Sequence, residues 1–325
     1  MRILLLAPSN PMSTSAYYER AFRHNHDILT CGPMLGETTL DAWAQGETRH
    51  ALKAPGAGQH EKIDMVRRLL KPCDLPTAWG AAPVLPHGWR PDLVVWIDGG
   101  ELFTPPVDVF DCPTACLLGD THLRLEWRAD YARGFDHVFV QFHREDIATI
   151  EAMDIENVHW LPPACEPRTH CPGPAAKAYD VVFIGQTDPE YFAWRVDILK
   201  RLIAAGLDVV VSSHILQEMA LLYSRARIVF NCSIAGDLNM RVPEAMASGS
   251  MLLTDRLGPE SGMDELFTDR VDLVLYDNRN VVDLARYYLA NHVARETIAL
   301  SGRDRALRLH TYAARAAQIV RECGL

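Results

Sequence analysis

Short apolar runs alternate along the chain with stretches whose apolar positions recur every three to four residues. The runs are Ile3–Leu6, Ile28–Cys31, Leu93–Ile97, Thr114–Leu118, Val138–Gln141 and Val158–Leu161, then Val181–Ile184, Val209–Ser212, Ile228–Cys232, Met251–Thr254 and Leu273–Tyr276. Brief, nearly continuous apolar segments of this kind predict strands covered on both faces, where every side chain meets a neighbour. Between them, the segment 192–207 puts Phe192, Val196, Leu199, Leu202 and Ile203 on one face of a helix. Strands and amphipathic helices in alternation predict an α/β protein with parallel sheets flanked by helices.

The rhythm breaks once. Residues 162–178 hold Pro162, Pro163, Pro167, Pro172 and Pro174 with almost no apolar periodicity, the pattern of a linker. Directly after it, Tyr179–Gly185 restarts the pattern as Met1–Pro8 began it. The expected organisation is a Rossmann-like domain over residues 1–165, a linker over 166–178 and a second domain over 179–305. A helix over 306–325 is expected to pack on both domains. The segment 48–91 is Gly/Pro/His-rich apart from one short helix near Lys62–Leu70, and predicts an irregular insertion.

With 48% hydrophobic and 23% charged residues among 325, the composition is that of a soluble globular chain. The first apolar run is too short for a secretory signal, and no later run approaches the roughly 18 residues of a membrane span. A cytoplasmic protein without a transmembrane segment is expected. Eight scattered cysteines, with no Cys-x-x-Cys pair, predict reduced thiols and no metal site. A net charge of −10 argues against nucleic acid as a partner. An anionic substrate would then need a local device to hold it.

That device is predicted in the loop following Ile228–Cys232, because open α/β sheets bind ligands beyond the carboxyl ends of their strands. Residues 233–249 read SIAGDLNMRVPEAMASG. Pro243 suits the first turn of a helix and Gly249 the position just past its end. A helix N-terminus beside Arg241 is a natural pyrophosphate site. Glu244 in the first turn is placed to accept hydrogen bonds from two ribose hydroxyls; the plainer reading is that it complements the helix dipole and pairs with Arg241. Spacing leaves both open.

The ordered set Tyr223-Ser-Arg-Ala-Arg-Ile-Val-Phe-Asn231, Asn239-Met-Arg-Val-Pro-Glu-Ala-Met-Ala-Ser-Gly249 and Leu252-Leu-Thr-Asp255 resembles the CgeB-like (spore-protein) glycosyltransferases. Glu265-Leu-Phe267, Leu275-Tyr-Asp277, Tyr287-Tyr-Leu289, Gly302-Arg303 and His310-Thr-Tyr312 extend the resemblance over most of residues 179–315. It implies a GT-B fold: two facing Rossmann-like domains with a cleft between them, a nucleotide-diphosphate sugar on the second and the acceptor on the first. Many retaining enzymes of this kind carry two glutamates seven residues apart. Glu244 matches the second, the ribose ligand; Asp237 stands at the first, one methylene shorter, and is a third catalytic candidate, expected to touch the donor sugar. Asn239, Gly185, Gln186, Ser213 and His214 are the further donor-binding candidates, Gly185 because it permits close backbone approach.

From the first half, Asp120 and His122 are candidates for catalysis: His122 as a hydrogen-bond donor to the sugar, Asp120 as its orienter or as a base. Asp98 and Glu101 are the acceptor-side candidates. Gly-x-Gly-x-x-Gly is missing after the first strand, where Ala7-Pro8-Ser9-Asn10-Pro11 stands, and so are a Walker lysine loop and an Asp-x-Asp triplet. The expected function is transfer of a sugar from a nucleotide sugar to a protein or glycan acceptor, retaining, without metal and without a further cofactor. A non-catalytic nucleotide-sugar or carbohydrate-binding protein on the same fold is the alternative. Inversion, with Asp120 or His122 as general base, is the alternative mechanism.

Overall fold

The computed structural model describes residues 1–11, 13–34, 36, 40, 59–78, 81–98, 103–213 and 216–325. The expected candidates Glu101 and His214, and part of the 48–91 segment, lie outside the described residues. In chain order the first half runs β1 (Arg2–Leu6), α1 (Thr14–Arg23), β2 (Asp27–Gly32), α2 (Gln59–Leu69), β3 (Leu75–Pro76), β4 (Leu93–Ile97), β5 (Thr114–Leu118), α3 (Leu125–Ala132), β6 (His137–Val140), α4 (Asp146–Glu151) and β7 (Val158–Trp160). The second half runs β8 (Tyr179–Ile184), α5 (Ala193–Ala204), β9 (Val209–Ser212), α6 (Leu216–Ser224), β10 (Ala226–Phe230), α7 (Arg241–Ala247), β11 (Met251–Asp255), α8 (Met263–Leu266), β12 (Val274–Tyr276), α9 (Val281–Ala290), α10 (His292–Leu309) and α11 (Tyr312–Glu322). All of the apolar runs named above are strands. The two-residue β3 is an addition, too short to show in the pattern.

The chain divides into two compact units, one of Met1–Trp43, Ile63–Pro162 and Tyr312–Leu325, the other of Ala44–Lys62 and Pro163–Thr311. The first holds a seven-stranded sheet in the order β3-β2-β1-β4-β5-β6-β7, the second a five-stranded sheet in the order β12-β11-β10-β8-β9. Every pairing is parallel. Because parallel strands are covered on both faces, β4 and β5 are buried at all of their positions. Leu4, Leu6, Trp96, Cys116, Val138 and Val140 centre the first core, and Val181, Phe183, Leu199, Ile228, Phe230 and Leu253 the second.

The tail is two helices. The chain breaks at His310, whose φ of −124° and ψ of 50° end α10, and α11 joins the first unit. There Tyr312 packs on Tyr17 and Tyr18, with ring centroids 4.9 and 5.1 Å away. Arg315 Nε donates to Pro162 O at 2.7 Å, and Gln318 Nε2 to Trp160 O at 2.9 Å.

The proline-rich segment is built into the second unit. Cys165 N–H donates to His310 O at 2.8 Å, and Cys165 bridges Thr311 in parallel. Lys177 Nζ donates to Gly249 O at 3.0 Å and to Ser250 Oγ at 2.6 Å. Proline removes apolar periodicity without preventing such anchoring, because it limits backbone donors and leaves carbonyls and neighbouring side chains untouched. No described helix is long and apolar enough to cross a membrane.

Candidate functional site

In the second sheet the chain leaves β8 for β9 on one side and then returns to β10 on the other. The loops after β8 and β10 therefore diverge from neighbouring strand ends, which opens a crevice of the kind that binds ligands in α/β sheets. Gly185, Gln186 and Thr187 follow β8, and residues 231–240 follow β10 and lead into α7. Pro243 lies in the first turn of α7, and Gly249, at φ 79°, takes the left-handed position just beyond its end.

Arg241 reaches from α7 back to the end of β8. Its Nε donates to Ile184 O at 2.8 Å, its Nη1 to Asn231 Oδ1, and its guanidinium lies 5.0 Å from the centroid of Phe183. Gly185 makes room for it: a Cβ there would stand 2.6 Å from Arg241 Nη2. Asn231 is itself fixed, donating through Nδ2 to Thr254 Oγ1 at 2.9 Å and accepting at its carbonyl from Tyr276 Oη at 3.0 Å.

A second guanidinium stands beside it. Arg195, on the buried face of α5 and only 1% exposed, donates to Gln186 O and to Cys232 O, each at 2.8 Å, so it ties the two loops together. Its guanidinium lies against the rings of Phe183 and Phe192. Burial, and then the nearby charge of Arg241, pull it below its ordinary pKa. No described carboxylate comes within 4.0 Å of either guanidinium. A buried cation whose only partners are carbonyls and ring faces is incompletely compensated, and an anion is what would complete it.

Backbone donors contribute less than the expected open helix N-terminus. No side chain caps α7. Val242 N–H is already given to Asn239 O, Glu244 N–H to Met240 O, each at 3.2 Å, and Pro243 has none. Positive charge at this site comes from side chains.

Glu244 is buried within α7. Burial pushes its carboxyl up to about 8, against the opposing pull of Arg241. Its Oε1 lies 3.5 Å from Nε2 of the fully buried His170. Asp237 is also buried, but its Oδ1 accepts Ile234 N–H at 2.7 Å and Ala235 N–H at 3.4 Å, so it closes the loop before α7. Both side-chain polar atoms of the half-buried Asn239 are without a hydrogen-bond partner. Gln186 is exposed, and Ser213 is half-buried directly after β9.

In the first unit the loop after β5 carries Asp120 and His122, both exposed. The His122 ring packs on the buried His143 ring at 4.6 Å, and His143 Nδ1 lies 3.4 Å from Glu145 Oε1. Asp98, the acceptor-side candidate, is buried against Arg128. Its carboxylate is 1% exposed and accepts from Arg128 Nε at 2.5 Å, while Arg128 Nη1 donates to Leu123 O. This buried pair anchors the loop that holds His122, and its carboxylate is turned away from the surface.

Arg195, Asn231 and His170 are additions to the expected site. Arg195 had a signal: it falls three residues after Phe192 and one before Val196, on the apolar stripe of its helix, where a charge has no reason to be unless it is used. His170 had none, since it lies where periodicity is absent.

Residues 174–321 match the family described as Glycosyl transferase-like. None of the curated proteins matches the chain. Among solved structures, HepE of Anabaena in complex with UDP and glucose aligns over 100% of this chain and 99% of its own, at 12% identity and a TM-score of 0.63. An alpha-glucosyltransferase in complex with UDP-glucose and DNA containing an abasic site aligns over 100% of both chains at 9% identity and a TM-score of 0.62. Sucrose-phosphate synthase from Thermosynechococcus elongatus aligns over 99% of this chain and 98% of its own, at 12% identity and a TM-score of 0.56. Residues 174–321 thus resemble a glycosyl transferase-like domain, and the chain as a whole has the GT-B fold of these neighbours.

Proposed function

We propose that this protein transfers a hexose from a UDP-sugar to a protein or glycan acceptor in the cytoplasm, with retention of anomeric configuration and without a divalent metal. One observation carries the reading: Arg195 and Arg241 lie together at the switch point of the second sheet with no carboxylate against them. A nucleoside diphosphate supplies the missing negative charge. UDP is the nucleotide in the complexes of HepE and the alpha-glucosyltransferase, which share this fold. Eight free thiols fit a reducing compartment.

In this mechanism Arg241 stabilises the diphosphate as charge develops on it, and Arg195 raises the potential from beneath. Glu244 accepts from the ribose hydroxyls. The acceptor oxygen bonds to the anomeric carbon as the bond from that carbon to the diphosphate breaks, and the acceptor proton passes to the departing diphosphate. His122, on a loop anchored by Arg128, is assigned the hydrogen bond to the donor sugar, with Asp120 beside it in sequence as the rival base. Asp237 is assigned to shaping the donor loop, with Asn239 the freer polar contact.

The test is the anomeric configuration of the product, or of the sugar released by donor hydrolysis, followed by NMR with and without EDTA. A retained anomer in EDTA is expected. An inverted anomer, or activity restored only by Mg²⁺ or Mn²⁺, would overturn the mechanism. Binding of UDP with no release of sugar would favour a non-catalytic binder.

A further inference from the structure

The segment Glu166–His170 closes on itself. Thr169 N–H donates to Glu166 O at 3.0 Å and His170 N–H to the same oxygen at 2.7 Å, while Arg168 N–H donates to Glu166 Oε1 at 3.1 Å. The imidazole of His170 folds back over this turn and accepts Glu166 N–H at Nδ1, at 2.9 Å. A backbone amide can only donate, so Nδ1 carries no proton and the neutral ring carries its hydrogen on Nε2. That nitrogen faces Glu244 Oε1 at 3.5 Å, and the ring is fully buried.

The geometry points to His170 as a positioning residue for the donor site: from 3.5 Å its Nε2–H closes on one oxygen of Glu244 when the nucleotide binds, and so presents the other to the ribose diol. The inference rests on the reading of Glu244 as the ribose ligand. A carboxylate that is to receive two vicinal hydroxyls must be held in one rotamer, and Glu244 has three side-chain torsions to fix. A group reaching in from outside α7 can fix them. The turn 166–170 brings that group in directly after Cys165, which is held by its bridge to Thr311. The tautomer is set by backbone alone, so the direction of the Nε2–H bond is fixed before any ligand arrives.

Binding of UDP and of 2′,3′-dideoxy-UDP, measured by calorimetry on the full chain, separates positioning from mere support of the fold. Measured above about pH 8, where Glu244 is ionised in the fold, the wild type is expected to prefer UDP by about tenfold or more, the scale of one charge-assisted hydrogen bond. His170→Ala should lower UDP affinity by about tenfold and leave dideoxy-UDP within about twofold, so that the preference collapses. His170→Gln places an amide N–H near the position of Nε2 and should restore most of the preference. If His170→Ala weakens both ligands equally, or neither, or if the glutamine fails to restore the preference, the positioning role is wrong. A wild type that binds UDP without preferring it, or a preference that survives Glu244→Ala, would overturn the ribose reading itself, and the inference with it.

Discussion

The two sheets each reverse their winding direction, the first between β1 and β4 and the second between β8 and β10, and each has a buried arginine near that point. In the first unit Arg128 meets the carboxylate of Asp98 at 2.5 Å, so its charge is met within the fold. In the second Arg195 meets only carbonyl oxygens and aromatic faces, with Arg241 alongside. Similar topology, and the same kind of side chain, thus serve opposite ends. A compensated guanidinium anchors a loop, whereas an uncompensated one leaves a field that a polyanion can satisfy. Topology indicates where a crevice can form; charge balance decides which crevice takes a diphosphate.

The largest effect expected from this contrast is on folding. Arg128→Ala leaves Asp98 buried without its partner and should cost about 3–5 kcal/mol of stability. Thermal or denaturant unfolding measures the loss. UDP affinity, measured below the transition, should stay within about twofold, since Arg128 belongs to the first unit and the proposed nucleotide contacts to the second. A large loss of affinity at retained fold would erase the distinction between the two arginines.

Arg241→Ala should act the other way round. UDP binding should weaken by about 1.5–3 kcal/mol, the range for a lost charged hydrogen bond, and uridine binding much less. Equal losses for UDP and uridine in calorimetry would place Arg241 away from the diphosphate.

The last effect is a pH dependence carried by Glu244. Its carboxyl is raised from 4.5 to about 8 by burial. Below about pH 4.5 it is protonated in both folded and unfolded chains. Between that value and about 8 the unfolded chain ionises while the folded one keeps its proton, so stability falls as pH rises. Glu244→Gln removes this contribution. From pH 5 to pH 8 the wild-type Tm should therefore drop relative to the variant, with a slope of at most about 1.4 kcal/mol per pH unit. A constant difference would mean that Glu244 is already ionised in the fold.

The strands were legible because a buried parallel strand has to be apolar at consecutive positions, and α7 because Pro243 and Gly249 mark its ends. The place of the loop after β10, leading into α7, was legible for the same reason. What the chain order hides is partnership at a distance. Asp98 looked like a surface acid at a strand end until its partner, 30 residues on, turned it inward. His170 sits in a segment whose prolines erase any period, and its meaning lies in a carboxylate 74 positions later. The reach of an N-terminus was also overestimated: composition places Pro243 in the first turn but does not reveal that Val242 and Glu244 have already committed their N–H groups.

The return of α11 to the first unit bears on how the protein is made. The sheet of that unit is complete by Trp160, but the tyrosine contact that covers Tyr17 and Tyr18 is supplied by Tyr312. On the ribosome, the second sheet, from Tyr179 to Tyr276, emerges and can settle while the first unit still waits for its last helix. Pro162 O and Trp160 O wait too, since Arg315 and Gln318 are their donors. The unit synthesised first is therefore the one finished last. A nascent chain stalled before Tyr312 would present an aromatic face to chaperones rather than to its own helix.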